Sequence, residues 1–252
     1  NTDLRQFRQT DLERDFIKDN INKLDKIFAP SIEHANIAKE IFNIDDKKIE
    51  VIGIGYNDKL FYDMGLKADK KNKLLYVGKV AKKKGVLSLI KAINMIDDDK
   101  LTLDIIGGAG DKNEYNEILA ECSKSKSKIN FLGTMTQGDL AVEYNKHDVF
   151  ILPSFSEGIP MAPIEAMACG SKLVISDLPG VREFYTKNVN GACIRYVKLP
   201  KLINVDDANS SELTIYEKNL SDMIRNAISD NNQYKPVLNE ISWENITKKI
   251  LK

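Results

Sequence analysis

The sequence predicts an α/β protein built on a parallel β-sheet that helices cover on both faces. Short apolar runs rich in β-branched residues alternate along the chain with longer segments of helical periodicity. Most of these runs are apolar throughout, as expected for strands buried on both faces. Glycine-containing turns follow several of the runs, and parallel sheets bind their ligands where the strands end.

The first quarter of the chain predicts helices around two strands. Residues 4–24 are polar, with apolar side chains at helical spacings, and predict one or two amphipathic surface helices. A short strand is expected at residues 27–29. Ser31 is positioned to cap a helix that ends near Phe42. Residues 48–56 predict a second strand, which Gly53 and Gly55 close.

From residue 73 the alternation of strands and helices becomes regular. The apolar runs predict strands at residues 73–78, 101–107, 128–133, 148–153, 172–176 and 191–195. Helical spacing predicts helices at residues 85–96, 113–123, 138–147 and 163–169, with closing helices at 219–228 and 243–251. Trp243 is expected to anchor the last helix through its apolar ring.

The composition excludes several classes of function. The chain has 252 residues with 37 basic and 37 acidic side chains, so no charge excess indicates a nucleic-acid surface. The sequence contains no apolar run of about 18 residues that would span a bilayer. Three dispersed cysteines without a C-x-x-C pair fit a reducing compartment. With only His34 and His147, a histidine-based metal cluster is not expected.

The turn after the first regular strand is basic. Gly78 and Lys79 follow the strand, Lys82, Lys83 and Lys84 come next, and Gly85 opens the following helix. Free N–H groups at a helix start attract anions. Lysines there are unfavourable without an anion to balance them. The turn therefore predicts a diphosphate site, the alternative being a solvated basic turn.

Two other patterns are weaker. Gly107, Gly108 and Gly110 form a glycine-rich turn that lacks the full dinucleotide fingerprint, so a tight turn explains it equally well. Asp97 and Asp99 form a D-x-D, a pattern of acids that in some proteins binds metal and diphosphate. Because it lies before a strand rather than after one, a solvated turn is the preferred interpretation.

The segment of residues 154–170 is the densest candidate site. It contains two acids eight positions apart, Glu157 and Glu165, and a loop of Gly158, Ile159, Pro160 and Met161. Backbone N–H groups of that loop lie beside a predicted helix start and are available to anions and hydroxyls. The alternative for Glu165 is an ordinary acid in the first turn of a helix.

Taken in order, these pieces resemble one family. VGKVAKKKG, IIGGAG, FLGTMTQGDL, DVFILPS, EGIPMAPIEAMACG and SDLPGVREF are similar to the carboxyl-terminal, donor-binding domain of GT-B glycosyltransferases, most closely glycosyltransferase family 4. Residues 157–165 reproduce the family's E-x7-E spacing. The resemblance implies a Rossmann-like domain at residues 56–235, preceded by the end of the amino-terminal acceptor domain at 1–55 and followed by a closing helix at 236–252.

The resemblance also implies roles for single residues. Lys79 and Lys84 match the basic pair on the donor diphosphate, although the first is usually Arg in the family. Glu165 matches the acid that holds the ribose hydroxyls, and Glu157 the acid near the transferred sugar. Gly78, residues 158–161, and Gly133 with Thr134 match further donor-binding positions, the last two beside the nucleobase. Gly55 matches a glycine at the interdomain cleft.

The implied activity is transfer of a sugar, retaining and without metal or other cofactor. The donor would be a nucleoside-diphosphate sugar, UDP being the expected nucleotide, and the acceptor a glycan or a lipid-linked molecule in polysaccharide biosynthesis. The expected location is cytoplasmic, with peripheral membrane contact through a fuller amino-terminal domain. Because the chain starts at Asn1, we expect most of the acceptor domain to be missing and transfer by this piece alone to be poor. The alternatives are a non-catalytic nucleotide-sugar-binding module and a nucleotide-sugar epimerase of similar fold.

Overall fold

The computed structural model describes residues 14–66, 71–203 and 207–251. The part of the predicted amphipathic segment before residue 14 lies outside these ranges. Nine helices and eight strands are found within them. The helices are α1 (Arg14–Ile21), α2 (Ile32–Phe42), α3 (Val86–Ile96), α4 (Lys112–Cys122), α5 (Gln137–Lys146), α6 (Met161–Ala168), α7 (Val181–Asn188), α8 (Ser210–Ser229) and α9 (Trp243–Ile250). The strands are β1 (Ile27–Ala29), β2 (Ile49–Val51), β3 (Lys73–Val77), β4 (Thr102–Ile106), β5 (Lys128–Gly133), β6 (Val149–Leu152), β7 (Lys172–Ser176) and β8 (Ile194–Val197).

The central sheet has six parallel strands in the order β5-β4-β3-β6-β7-β8. The chain builds outward from β3 to β5, then returns to the other side of β3 with β6. The strand order therefore reverses between β3 and β6. In open α/β sheets a ligand crevice forms at this reversal, outside the carboxyl ends of the strands.

Helices cover both faces of this sheet, as the sequence predicts. On one face α3 packs against α4 and α8, and α8 also contacts β6, β7 and β8. On the other face α6 packs against α5 and against β6 and β7. All residues of β6 and β7 are buried, which explains why these strands are apolar without alternation. In the part of the chain that the structure describes, no helix is both long and apolar enough to cross a membrane.

The amino-terminal unit is a smaller layer, formed by β1, α2 and β2. Its two strands are parallel, with Ile27 opposite Ile49. Ser31 caps α2 as predicted, because its hydroxyl oxygen accepts a hydrogen bond from the backbone N–H of His34 at 3.2 Å. Ala38, Phe42 and Ile44 form a hydrophobic cluster separate from the main core.

The closing helix α9 ties the two parts of the chain together. The backbone N–H of Tyr56 donates to the carbonyl of Ile241, and that of Trp243 donates to the carbonyl of Tyr56, both at 2.9 Å. The indole Nε1 of Trp243 also donates to the carbonyl of Gly55 at 2.8 Å. Half of the Trp243 side chain stays exposed, so this residue anchors the helix by a hydrogen bond as well as by apolar contact.

Three predicted elements differ from the structure, and one helix of the structure is not predicted. The strand expected at residues 48–56 ends at Val51, because Gly53 has a φ of +82° that leaves the extended conformation. The strand expected at 191–195 is shifted to Ile194–Val197. The helix expected at 219–228 is α8, which begins nine residues earlier at Ser210. The short helix α7, which starts after Gly180 at a φ of +76°, is not among the predicted elements. The domain division at residues 55 and 235 stays a prediction.

Candidate functional site

Three turns lie side by side where β3, β4 and β5 end. The N–H of Gly78 donates to the carbonyl of Ile106 at 2.9 Å, and the N–H of Gly107 donates to the carbonyl of Gly133 at 2.8 Å. The ladder continues into the loops, where the N–H of Val80 donates to the carbonyl of Gly108 at 2.9 Å. The predicted basic turn and glycine turn are therefore neighbours at one edge of the sheet.

Glycine is required at the centre of this arrangement. A Cβ atom on Gly107 would lie 1.9 Å from the carbonyl oxygen of Gly78, and the φ of Gly107 is +145°. No other residue fits there without moving the backbone of the neighbouring turn. The turns are thus in direct backbone contact, and Gly108 in the second of them is exposed.

The basic turn is also packed against the chain that follows β6. A Cβ atom on Gly85 would lie 2.0 Å from the carbonyl oxygen of Pro153, and the N–H of Phe155 donates to the carbonyl of Lys83 at 3.1 Å. These contacts join the turn after β3 to the chain after β6, the two strands between which the strand order reverses. They bring together two segments that are far apart in the sequence.

Lys84 and Glu157 form an ion pair across this junction. The Nζ of Lys84 donates to Oε1 of Glu157 at 2.7 Å, and both side chains are partly buried. Both residues are candidates from the sequence. The structure places them in contact at the carboxyl ends of β3 and β6, the position at which this sheet type binds ligands.

Two other lysines of the turn have different surroundings. Lys82 pairs with Glu117 of α4, and its backbone N–H donates to Glu114 at 3.0 Å. The hydrogen bond to Glu117 raises the pKa of Lys82. Lys79 is exposed, and its Cε lies 3.2 Å from the position a Cβ on Gly110 would take. Within the described ranges Lys79 forms no ion pair, so its charge is available to a ligand above the glycine turn.

Glu165 lies in the second turn of α6, not in the first turn expected from the sequence. Its Oε2 accepts a hydrogen bond from the hydroxyl of Tyr144 at 3.1 Å. Burial raises the pKa of Glu165, and the hydrogen bond from Tyr144 lowers it by less. The carboxylate is therefore held on a buried phenol, and Glu165 itself is half-buried.

The loop between the two acids begins α6. Pro160 is the residue before the helix, and residues 158–161 are all half-buried. Pro160 has no N–H, so any backbone donors here belong to Gly158, Ile159 and Met161.

Gly133 and Thr134 form the outer end of the site. Both are exposed, and Gly133 has a φ of +72° with no atom within 4 Å of the position a Cβ would take. The methyl group of Thr134 lies 3.8 Å from the corresponding position on Gly108. The third turn is thus beside the second, with open space above it.

The structure adds polar groups that the sequence does not predict. The hydroxyls of Ser154 and Tyr185 are buried, and within the described residues neither has a hydrogen-bond partner. Burial raises the pKa of Tyr185, with smaller contributions from Tyr196 and Glu157. The ring of His34 lies against Gly158. No local sequence signal marks Ser154, Tyr185 or His34, because their surroundings join segments far apart in the chain.

Gly55, predicted at the interdomain cleft, is packed against α9. A Cβ atom there would lie 2.9 Å from Ile246 and from Trp243. A cavity of about 400 Å³ opens nearby, between the amino-terminal unit and α7. Its walls include Pro30, Glu33, Gly53, Gly180, Phe184 and Lys187.

One group of side chains has the composition of a metal site, away from the turns. Ligand atoms of Asp104, Glu143 and His147 lie within 4.8 Å of one another. The Nε2 of His147 is 2.9 Å from Asp104, and its Nδ1 is 2.7 Å from the carbonyl of Glu143. Asp104 and the carbonyl of Glu143 thus already occupy both ring nitrogens of His147. The group is a hydrogen-bonded cluster on the side of the sheet opposite the turns.

The D-x-D sequence lies away from the site as well. Asp97 ends α3 with a φ of +57° and pairs with Lys126 at 2.7 Å. Asp98 accepts a hydrogen bond from the N–H of Lys100 at 2.9 Å. These acids precede β4 and lie at the opposite edge of the sheet from Lys84 and Glu157.

Comparison with known proteins identifies the family. The profile described as glycosyl transferases group 1 matches residues 62–198. An uncharacterized glycosyltransferase of Methanocaldococcus jannaschii is 31% identical over 223 residues, which is 82% of this chain and 54% of that protein. The chain belongs to the glycosyl transferases group 1 family. The matched region contains all three glycine turns, Lys84 and both acids.

Two further proteins extend this comparison. The O-antigen chain mannosyltransferase RfbU of Salmonella typhimurium is 29% identical over 88% of this chain and 58% of its own length. The Anabaena protein HepE, solved in complex with UDP-glucose, superimposes with a TM-score of 0.66 at 15% identity, over 99% of this chain and 69% of that one. The chain thus spans little more than half the length of the curated relatives it matches. The predicted GT-B-type α/β fold is confirmed.

Proposed function

We propose that the chain is the donor-binding part of a nucleotide-sugar-dependent glycosyltransferase. The observation that carries the proposal is the Lys84–Glu157 pair, which joins a cation and an acid where the strand order reverses. The three glycine turns beside this pair leave backbone exposed to a ligand. Membership of the glycosyl transferases group 1 family supports the same activity.

The arrangement accommodates a nucleoside-diphosphate sugar in one orientation. Lys79 and Lys84 would hold the diphosphate, and the carboxylate of Glu165 would accept hydrogen bonds from the ribose diol. The N–H groups of the loop at residues 158–161 would meet the sugar and phosphate. The exposed turn at Gly133 and Thr134 would face the base.

The proposed chemistry is stabilisation of a leaving diphosphate. As the bond from the anomeric carbon to the phosphate oxygen breaks, negative charge grows on the diphosphate and positive charge on the sugar. Fixed cations beside the diphosphate bind this state more strongly than the ground state. Lys79 and Lys84 would supply that charge without a divalent metal. We further propose retention of the anomeric configuration and assignment to glycosyltransferase family 4, on the E-x7-E spacing of Glu157 and Glu165.

The donor and acceptor classes follow from the relatives. The HepE structure contains UDP-glucose, so we propose a UDP-sugar as the donor to test first. RfbU is named an O-antigen chain mannosyltransferase, which supports a glycan, free or lipid-linked, as the acceptor.

A thermal-shift panel tests the donor class on the 252-residue chain. UDP, GDP, ADP and their sugars would each be added at one common concentration, and a nucleotide present at about 100 times its Kd stabilises the folded state by about 2.7 kcal/mol. For a chain of this size that corresponds to a rise in Tm of roughly 5–10 °C. We expect one base to stand out. If none of the nucleotides raises Tm, the donor-site proposal is wrong.

A second experiment tests transfer. The chain, and a form with the complete amino-terminal domain, would be incubated with the selected sugar nucleotide and a glycan acceptor in the presence of EDTA. We expect product from the longer form, with its anomeric configuration read by NMR, and little from the 252-residue chain. Binding without transfer by the longer form would favour the non-catalytic module, and inversion would reject the retaining mechanism.

A further inference from the structure

The imidazole of His34 covers Gly158 in the loop between Glu157 and Glu165. A Cβ atom built on Gly158 would lie 3.3 Å from Cε1 and 3.4 Å from Nε2 of His34. His34 belongs to the first turn of α2 in the amino-terminal unit, whereas Gly158 follows β6 of the central sheet. This contact therefore reaches from one unit across to the candidate site of the other.

The His34 side chain is held in place by Ser31. The Nδ1 atom lies 2.8 Å from the hydroxyl oxygen of Ser31, which also accepts the backbone N–H of His34 at 3.2 Å. Ser31 is buried. With its oxygen accepting the backbone N–H, the hydroxyl can give its one proton to Nδ1. In that tautomer the ring proton is on Nε2, which lies 3.4 Å from the position a Cβ on Gly158 would take.

The position of this N–H indicates which part of a donor it would meet. Gly158 directly follows Glu157, which pairs with Lys84 beside the basic turn. Glu165 and Thr134, the predicted contacts of ribose and base, belong to other parts of the site. An Nε2–H group over Gly158 would thus face the sugar-diphosphate end of the donor.

We propose that His34 is a donor-binding residue that the amino-terminal unit supplies. Its Nε2–H donates a hydrogen bond to the sugar-diphosphate portion of a ligand on the loop at residues 158–161. This inference rests on the proposed function, since it needs a nucleoside-diphosphate sugar in the site. It gives the amino-terminal unit a direct share in donor binding.

Calorimetry on the 252-residue chain tests the assignment with three ligands of one base. The series is UMP, UDP and UDP-glucose, or its counterpart in whichever base the thermal-shift panel selects. His34→Ala should weaken UDP-glucose binding about tenfold, the usual size of one lost ligand hydrogen bond. UMP affinity should stay the same. Glu40→Ala, an exposed position on the same helix, is the control and should change neither affinity.

A conservative variant separates hydrogen bonding from simple packing. The amide N–H of His34→Gln can replace Nε2–H, so this variant should recover most of the affinity that His34→Ala loses. If Gln binds UDP-glucose as weakly as Ala does, or if UMP and UDP-glucose lose equally, the proposed hydrogen bond is wrong.

A double-mutant cycle tests the contact itself. Gly158→Ala should weaken UDP-glucose binding in the natural background, because the new methyl group displaces the His34 ring. In the His34→Ala background the same change should cost much less. Additive losses would reject the His34–Gly158 contact. If the natural chain binds no nucleotide at all, the proposed function fails and this inference fails with it, whereas equal affinities for the natural chain and His34→Ala reject only the role of His34.

Discussion

The central sheet has one edge where its parallel strands begin and another where they end, and charged side chains have opposite surroundings at these two edges. Where the strands begin, Lys172 is buried, and its Nζ donates to the carbonyls of Ala227 and Asp230 at 2.9 and 2.7 Å. It also pairs with Asp148 at 2.8 Å. Where the strands end, Lys79 has no ion-pair partner and Lys84 has only Glu157 among the described residues.

The other polar groups do not divide between the two edges as the lysines do. At the first edge, Asn130 donates to Asp104 at 2.6 Å and both ring nitrogens of His147 are bonded. Burial would raise the pKa of Asp104, but the bonds from His147 and Asn130 outweigh it and the pKa is lowered. Near the second edge, the buried hydroxyls of Ser154 and Tyr185 have no partner in the described part of the chain. Oδ1 of Asn94 and Oγ of Ser125, which lie shortly before β4 and β5 begin, also lack a partner among the described residues. The contrast between the two edges therefore rests on their lysines.

The largest effect is expected at the edge where the strands begin. Lys172→Ala removes a buried cation and leaves Asp148 and two carbonyls without it, so the free energy of unfolding should fall by about 3–5 kcal/mol. Urea denaturation measures this change. The folded fraction should keep its affinity for nucleotide.

Lys146→Ala is the matched control for Lys172→Ala. Lys146 forms a surface pair with Glu143 within one helix, and such pairs contribute at most about 0.5 kcal/mol. If both substitutions cost the same, the contrast between a structural edge and a binding edge is lost.

The second-largest effect is expected for Lys84, and it concerns UDP affinity more than stability. Lys84→Ala should reduce the affinity for UDP roughly 10- to 100-fold, because a charged hydrogen bond to phosphate is worth about 1.5–3 kcal/mol. The free energy of unfolding should change by less than about 1 kcal/mol. Lys82→Ala is the control, since Lys82 is already paired with Glu117. Unchanged UDP affinity in Lys84→Ala, measured by calorimetry, would remove the phosphate assignment.

Glu165→Gln should affect a ligand that contains ribose more than one that does not. The amide oxygen still accepts from Tyr144 but lacks the charge that holds a ribose diol, so UDP affinity should fall about tenfold while pyrophosphate affinity stays nearly constant. Equal losses for the two ligands would reject the ribose role.

The pH dependence of the same variant has a defined sign. Burial raises the pKa of Glu165 above 4.5, so the folded state binds more protons than the unfolded state just above that value. The stability of the natural chain therefore falls as pH rises through the raised pKa, and Glu165→Gln removes this loss. Urea denaturation of both proteins from about pH 4 to about pH 8 should show the variant gaining relative stability toward neutral pH. The opposite trend would contradict the raised pKa.

The smallest effect is expected at Lys79. Because this side chain is exposed, solvent screens its charge, and it has no ion-pair partner in the described part of the chain. Lys79→Ala should therefore weaken UDP binding only a few-fold and change stability by less than about 0.5 kcal/mol. Lys79→Arg should bind at least as tightly as the natural chain, since a guanidinium can contact a phosphate with two N–H groups. A loss in Lys79→Arg as large as that in Lys79→Ala would show that this side chain does not meet the diphosphate.

The sequence predicts the strands of the central sheet well and some other elements poorly. β6 and β7 are identifiable because they are almost wholly apolar, and this pattern can be seen in the sequence without knowing which segments pack against them. The eight residues of α7 bury only Val181, Phe184 and Tyr185, which is too few to show a helical period. The extent of the strand after residue 48 depends on the backbone angle of Gly53, which composition does not indicate.

The candidate site, too, can be predicted from the sequence only in part. Motif order brings the basic turn, the glycine turns and both acids into one hypothesis, because parallel strands end at a common edge. The pairing of Lys84 with Glu157 joins residues 73 positions apart, and Tyr144 reaches Glu165 from another helix. The approach of His34 to Gly158 depends on how two units pack. Such contacts require the fold itself.

The closing helix has a mechanical consequence for the cleft. Residues 53–56 and residues 241–243 run next to each other and exchange backbone hydrogen bonds, while Ile246 of α9 rests on Gly53 and Gly55. The segment that leaves the amino-terminal unit and the segment that leads into α9 are therefore fastened to each other. Any change in the distance from His34 to Gly158 that keeps these hydrogen bonds has to come from the backbone on either side of them.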